Sequence, residues 1–227
     1  MKQRLTRQRI VEAAIAIADE HGLDGLSMRT VAGALGVASM ASYRHISGRD
    51  DLIRAMVEAI MLEVPLLPAD SDIDLIGRLR SMAHGDWAVF RAHPWLIKVW
   101  STPRRRVDMA SFNQLEVLLG AMEAAGLSRA DSYEIILGVF AITLGIAALT
   151  IEDPASKATD AVTLDEWRHH VIAQEGESFE RTHPKSARYF AGMTQEVGAE
   201  AFSNALETYL AGLAPRLRGE SGDRQAG

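Results

Sequence analysis

The groups with reactive potential in this chain do not assemble into a catalytic pattern. There are seven histidines and no cysteine, which removes disulfides, thiolate metal sites and cysteine nucleophiles. His169 and His170 are neighbours, so on a helix they diverge by about 100° and do not easily share one ion. His84 and His93 stand nine residues apart, and no HExxH motif is present. A glycine-rich phosphate loop, a nucleophile elbow and paired catalytic carboxylates are equally missing from the sequence. The expectation is a non-enzymatic protein with no catalytic residue, no metal and no cofactor.

What remains is a basic cluster near the N-terminus. Residues 1–49 hold seven basic groups against four acidic ones, a net +3, whereas residues 50–227 carry 17 against 26, a net −9. A small basic head on an acidic body suits a DNA-binding domain joined to a regulatory one. Within the head, Leu35-Gly36-Val37 reads as a tight turn between two short helices, a helix-turn-helix signature. Gly36 takes a left-handed backbone there at no steric cost, and Ala32 is small enough to let the next helix cross closely. That next helix, Val37 to His45, is expected to expose Ser39, Met40, Ser42 and Arg44 around a small Ala41. It is slim enough to enter a major groove about 12 Å wide.

The elements that must position these groups are helical throughout. Thr6 caps a first helix whose apolar face is Ile10, Ala13, Ala14, Ile17 and Ala18, stopped by Gly22-Leu23-Asp24-Gly25. Ser27 caps a second with Met28, Val31, Ala32 and Leu35 inward. After Ser47-Gly48-Arg49, a fourth helix runs from Asp50 to about Val64, its two leading aspartates favourable to the helix dipole. Further spans are predicted at Ile73–His93, Trp95–Trp100, Arg106–Ala125, Ala130–Thr150, Thr163–Gln174 and Gln195–Leu217. Glu175 to Met193 is less periodic and reads as loop with a short helix. No strand-like alternation of useful length occurs, so the fold class is all-α.

The expected organisation is a head at 1–49 continuing into the connecting helix 50–64, a larger helical domain at 65–218, and a disordered tail at 219–227. The N-terminal run meets Glu12, Asp19 and Glu20 and lacks the uncharged apolar segment of a signal peptide. Ile135 to Ile151 is uncharged over 17 residues but includes Gly138, Thr143, Gly145 and Thr150, and is better read as a buried helix than a membrane span. A soluble, cytoplasmic chain without a membrane partner is expected.

Four runs agree in pointing to one family. Leu5-Thr6-Arg7-Gln8-Arg9-Ile10-Val11-Glu12-Ala13-Ala14, Gly25-Leu26-Ser27-Met28-Arg29, Leu35-Gly36-Val37 and Tyr43-Arg44-His45-Ile46 strongly resemble the TetR family of bacterial transcriptional regulators. The resemblance implies a homodimer reading a palindromic double-stranded operator, most simply as a repressor, with a larger domain controlled by a small-molecule effector. It places Ser27 and Arg29 against phosphates or a base edge. Ser39, Met40 and Ala41 would face bases, and Tyr43 and His45 would hold the backbone. Arg49 stands where the family usually has lysine, and its guanidinium can also clamp phosphate. Effector binding would shift the fourth helix and carry the reading heads out of register. A small-molecule-binding protein or enzyme with a non-functional head is the competing reading.

Two features define the larger domain. Gly138, Ala141, Gly145, Ala147 and Ala148 mark one helix, while Ala199, Phe202, Ala205, Leu206, Tyr209, Leu210 and Leu213 form an apolar stripe on the last. The two helices suit either a four-helix dimer interface or the core of one protomer, and the resemblance favours the dimer. The middle helices are rich in rings with a few polar handles, as a small-molecule cavity is: the candidate lining is Trp87, Phe90, Trp100, Phe112, Gln114, Phe140 and Thr143. Asn113-Gln114-Leu115, Ala125-Gly126-Leu127-Ser128 and Thr143-Leu144-Gly145 resemble the tetracycline-repressor branch, which implies that Gln114 helps hold the effector. That branch binds a metal–tetracycline complex through a histidine and an acid, whose places here fall to Trp100 or its neighbours and to Leu149. Apolar side chains do not ligate Mg²⁺, so a small apolar or aromatic effector is expected rather than tetracycline.

Overall fold

A computed structural model describes residues 4–65, 67–68, 70–102, 109–155, 163–174, 176–192 and 195–217. Twelve helices, and no strand, are found among the described residues. They are α1 (Arg7–His21), α2 (Met28–Ala34), α3 (Ser39–Ser42), α4 (Arg49–Glu63), α5 (Leu75–Ala92), α6 (Trp95–Trp100), α7 (Met109–Ala124), α8 (Arg129–Thr150), α9 (Leu164–Gln174), α10 (Gly176–Thr182), α11 (Pro184–Ala191) and α12 (Gln195–Leu217). The tail expected to be disordered lies outside the described residues.

Local chemistry sets the first four elements. Thr6 accepts from the Arg9 N–H at the start of α1. Gly22 ends the helix at φ 66 and returns its N–H to the Ala18 carbonyl at 2.9 Å. Ser27 and Thr30 form a reciprocal capping box at the start of α2. At its end, Gly36 at φ 64 closes a Schellman turn, with Val37 N–H on the Ala32 carbonyl at 3.0 Å and Gly36 N–H on Gly33 at 3.1 Å. The three helices close over Ile10, Ala14, Ala18, Val31 and Ile46, all fully buried. α4 seals this core with Leu52 and Met56, packs against both α1 and α7, and ends just before Pro65.

The third helix is shorter than the sequence suggests. Only Ser39–Ser42 is helical, and Ser42, expected at the surface, is wholly buried. A single turn has one inward position in four, and Ser42 takes it because Ile46 must also reach the core.

In the rest of the chain, α5 is flanked by α6, α7, α8 and α12, and the most extensive packing is between α8 and α12. Two glycines permit it. Tyr209 lies directly over Gly138, and Thr150 lies over Gly198, where an added Cβ would come within 2.5 Å of the Thr150 Cβ. Trp87 stacks flat on Phe202 with centroids 4.4 Å apart, and Arg80 forks onto Glu207 at 2.6 and 2.8 Å, joining α5 to α12. Phe202, Leu206, Leu210 and Leu213 are buried within the protomer, so the large-residue stripe of the last helix serves the chain's own core. Glu175 to Met193 holds two short helices, α10 and α11, instead of mostly loop. Each is too brief to show an i, i+7 repeat, and Pro184 starts the second with its fixed φ.

Tight helix contact at Gly198 predicts that Gly198→Ala loses about 1–3 kcal/mol of stability through overpacking against Thr150. Gly120 in α7 has open space around it, so Gly120→Ala is expected to be neutral or stabilising by up to about 1 kcal/mol. Urea unfolding of both variants at fixed protein concentration checks the pair.

Candidate nucleic-acid interface and cavity

The surface made by α2, α3 and the start of α4 holds the expected contact residues in several different states. Ser27 is half-buried, its Oγ accepting from the Thr30 N–H at 3.0 Å, so its hydroxyl is engaged as a cap. Arg29 in the first turn of α2 is exposed. Met40 is 76% exposed and forms the tip of α3, with Ser39 and Ala41 half-buried beside it. Tyr43 is 48% exposed, and Arg44 and His45 follow it at the surface. Arg49 is not an idle phosphate clamp: Nη2 donates to the Leu23 carbonyl at 2.9 Å and Nε reaches Leu26 at 3.5 Å. It ties the start of α4 to the loop that presents Ser27.

A second ion cluster, absent from the sequence reading, fixes this surface from behind. Arg7 forks onto Asp51 at 2.9 and 3.3 Å and also donates to the His45 carbonyl at 2.7 Å. Asp51 further accepts from the Ser47 N–H at 2.9 Å and from Arg54 at 2.7 Å. The hydrogen bonds from Arg7 and then Ser47 hold the Asp51 carboxyl well below the usual carboxylate range. The signal that could have found it is Arg7 at the first residue after the Thr6 cap, facing an acid in the first turn of a later helix.

The cavity lies where α4 ends. A space of about 370 Å³ is lined by Val64, Pro65 and Leu67, by Arg78, Ser81, Met82, His84, Gly85 and Asp86 of α5, and by Gln114, Val117 and Leu118 of α7. This is at the lower end of the range for small-molecule sites. Gln114 is the one expected lining residue that faces this space, and its Nε2 is buried and has no hydrogen-bond partner among the described residues.

The other six lie elsewhere. Trp87 stacks on Phe202; Phe90 meets Trp100 edge-on at 5.3 Å, and Trp100 leans on Phe140 at 6.0 Å. Thr143 is fully buried, its hydroxyl donating to the Val139 carbonyl at 2.9 Å. Phe112 is 50% exposed on the surface of α7. Trp87, Phe90 and Trp100 are core residues, each packed against another ring. Two of the missed residues, Arg78 and Asp86, carry a readable mark: they are polar positions interrupting the inward, otherwise apolar side of α5, while Ser81 is exposed. Of the places that would ligate a metal in the tetracycline branch, Trp100 is buried in this aromatic cluster and Leu149 is 68% exposed.

A polar seam joins the N-terminal helices to the rest. Asp19 of α1 accepts from Trp95 Nε1 and pairs with His93 Nδ1, both at 2.8 Å. Lys98 of α6 pairs with Asp153 at 2.6 Å and Asp24 at 3.5 Å.

The family profile described as bacterial regulatory proteins, tetR family, matches residues 10–56, and that of the tetracyclin repressor-like C-terminal domain matches residues 67–217. The chain belongs to the TetR family. Among TetR-family relatives, the HTH-type transcriptional repressor DrrR1 of Streptomyces coeruleorubidus is 31% identical over 176 residues, 75% of this chain. The match spans 63% of DrrR1's own length. The class D tetracycline repressor protein of Escherichia coli is 24% identical over 219 residues, 94% of this chain and 91% of that protein. Apo ActR from Streptomyces coelicolor shares the fold at TM-score 0.67 and 23% identity, covering 96% of this chain and 99% of its own. ActR has also been crystallised in complex with actinorhodin.

Because the Asp51 carboxyl is depressed, it stabilises the fold at pH above its unfolded value near 4, and that contribution is lost as pH falls below it. Asp51→Asn is expected to cost about 1–2 kcal/mol at pH 7. The gap from wild type should close on acidification below about pH 4, as read by chemical denaturation across pH.

Proposed function

We propose that this chain is a ligand-responsive transcriptional repressor without enzymatic activity. It would bind a palindromic operator as a homodimer, through a head at residues 1–49 that continues into α4. Residues 65–218 would take the effector and form the dimer. The observation that carries the reading is the course of α4. It begins at Arg49, bonded to the loop that presents Ser27, and its end runs directly into Val64 and Pro65, which wall the cavity.

In this reading α3 enters the major groove, with Ser39, Met40 and Ala41 toward base edges. Met40 offers an apolar contact suited to a thymine methyl. Arg29, Tyr43 and His45 hold the backbone, and Ser27 contributes chiefly by capping α2. Arg49 acts first by fixing the loop and only secondarily through phosphate.

Dimer formation is supported by the uncovered side of α8 and α12. α8 is, among the described residues, the helix long and apolar enough by length and composition to cross a bilayer, yet only 28% of its most apolar stretch is buried in one protomer. Tyr133, Leu137, Ala141, Gly145, Ala148 and Leu149 are exposed on it. A second copy laid on this apolar face accounts for the exposure without a membrane.

The effector is read as a planar ring compound with polar handles. Val117, Leu118 and Met82 supply apolar wall, while Arg78, His84, Asp86 and Gln114 supply polar points. A wholly apolar effector would leave the Gln114 amide unsatisfied. ActR, with its actinorhodin complex, is a precedent in the same fold.

A gel shift with the DNA upstream of the chain's own coding region tests the reading, and a shift at low salt is expected. Arg29→Ala should weaken binding across sequences and flatten the log–log salt slope by about 2 for a dimer, one phosphate per half-site. Leu137→Arg should give monomers by sedimentation and lose the shift. Failure of wild type to bind any DNA at low salt would leave only a small-molecule-binding role.

A further inference from the structure

The chain has nine methionines and no cysteine. An oxidant therefore meets no thiolate, and thioether sulfur is the soft, oxidisable group on offer. Burial divides the methionines. Met28, Met56, Met61 and Met122 are core residues, and Met82 is half-buried against the cavity. Met1 and Met193 lie outside the described residues. Among the described residues, Met40 at 76% and Met109 at 64% are the two methionines held largely in solvent. Met109 opens α7, away from α2 and α3 in the sequence. Met40 stands on α3 between Ser39 and Ala41, which are half-buried and too short to cover a thioether.

Resting on the operator reading of α3, we propose that Met40 is an oxidation site at which a peroxide switches DNA binding off. A two-electron oxidant of the hydroperoxide class transfers one oxygen to Met40 Sδ. The S–O bond forms and the O–O bond breaks; the thioether is oxidised, and the peroxide leaves reduced to water or an alcohol. As a thioether, Met40 offers the groove an apolar contact suited to a thymine methyl. The sulfoxide brings an accepting oxygen and no donor. Against a methyl group, or against the N7 and O6 acceptors of purines, that oxygen gives up water and gains nothing in return. The proposed dimer carries two such oxygens, one in each half-site. Methionine sulfoxide reductases reverse the step, the oxygen leaving as water while a dithiol closes to a disulfide. DNA bound over α3 encloses Met40, so the free protein is the form that reacts.

The test treats full-length protein with hydrogen peroxide, locates the added oxygen by peptide mass spectrometry, and reads affinity by anisotropy of a fluorescent fragment from upstream of the coding region. Met40 is expected to oxidise at least about fivefold faster than Met56 or Met122. Wild type with Met40 oxidised should bind at least about tenfold more weakly than untreated protein, and reductases with dithiothreitol should restore it. Each variant is compared with its own untreated form: Met40→Leu should keep its affinity through the treatment, and Met109→Leu should lose it as wild type does. Should Met40→Leu bind too weakly to measure, protection in wild type decides. Saturating fragment should slow oxidation of Met40 at least about fivefold and leave Met109 unchanged. Unchanged affinity of wild type with Met40 oxidised, a loss that persists in Met40→Leu, or equal Met40 rates with and without DNA overturns the switch while leaving the operator reading intact. Untreated wild type that binds no DNA at low salt removes the operator reading and this inference with it.

Discussion

A helix buried along most of its length moves as a rod or not at all, and α4 is such a helix. Its 15 residues span about 22 Å, and Leu52, Met56, Ile60 and Met61 hold it against its neighbours. At one end Arg49 and Asp51 bind it to the loop before α2 and to α1. At the other it becomes cavity wall. A displacement of an ångström or two at Val64 cannot be absorbed by bending. It must appear as a change in the attitude of α1 to α3, or as strain in the seam of Asp19, His93, Trp95 and Lys98.

That seam is polar where the surrounding core is apolar, and the contrast has a mechanical consequence. A continuous hydrophobic cluster runs from Ile10 to Leu213, so the N-terminal helices are not loosely tethered. Between them and the α6 region, however, lie the hydrogen bonds and partly exposed ion pairs of Asp19 and Asp24, which exchange partners with water at modest cost. The aromatic stack of Trp87 on Phe202 and the close approach at Gly138 and Gly198 make α5, α8 and α12 the rigid side. Two states separated by a small free energy, biased by a ligand that prefers one of them, are what such a construction can support.

Much of this was legible in the sequence because it is written locally. Thr6, Ser27 and Gly36 are caps and a turn whose chemistry acts within a few residues, and the helices they bound appear at the expected places. Trp95–Trp100 and Gln195–Leu217 match residue for residue, the first set by Pro94 at its start. The cavity was poorly legible for the opposite reason. Whether Trp87 or Phe90 faces a void or another ring depends on how α5 crosses α8 and α12, and composition does not encode a crossing angle. Gln114 was placed through a family resemblance and not by its surroundings. Ser42 was misjudged because one helical turn has too few residues to show a face. The division of the α8 and α12 surfaces into an inner and an outer side likewise required the packed structure.

In the proposed mechanism, filling the cavity moves α4 and releases DNA. Gly85 faces the cavity, and a Cβ there would lie 3.6 Å from Val64 Cγ1, so Gly85→Phe places a permanent ring against the end of α4. Anisotropy of a fluorescent operator fragment, read without any effector, measures the result directly. A folded, dimeric variant is expected, with operator affinity about 5- to 150-fold weaker than wild type, the usual span of such coupling. A folded dimer that binds the operator as tightly as wild type would contradict it.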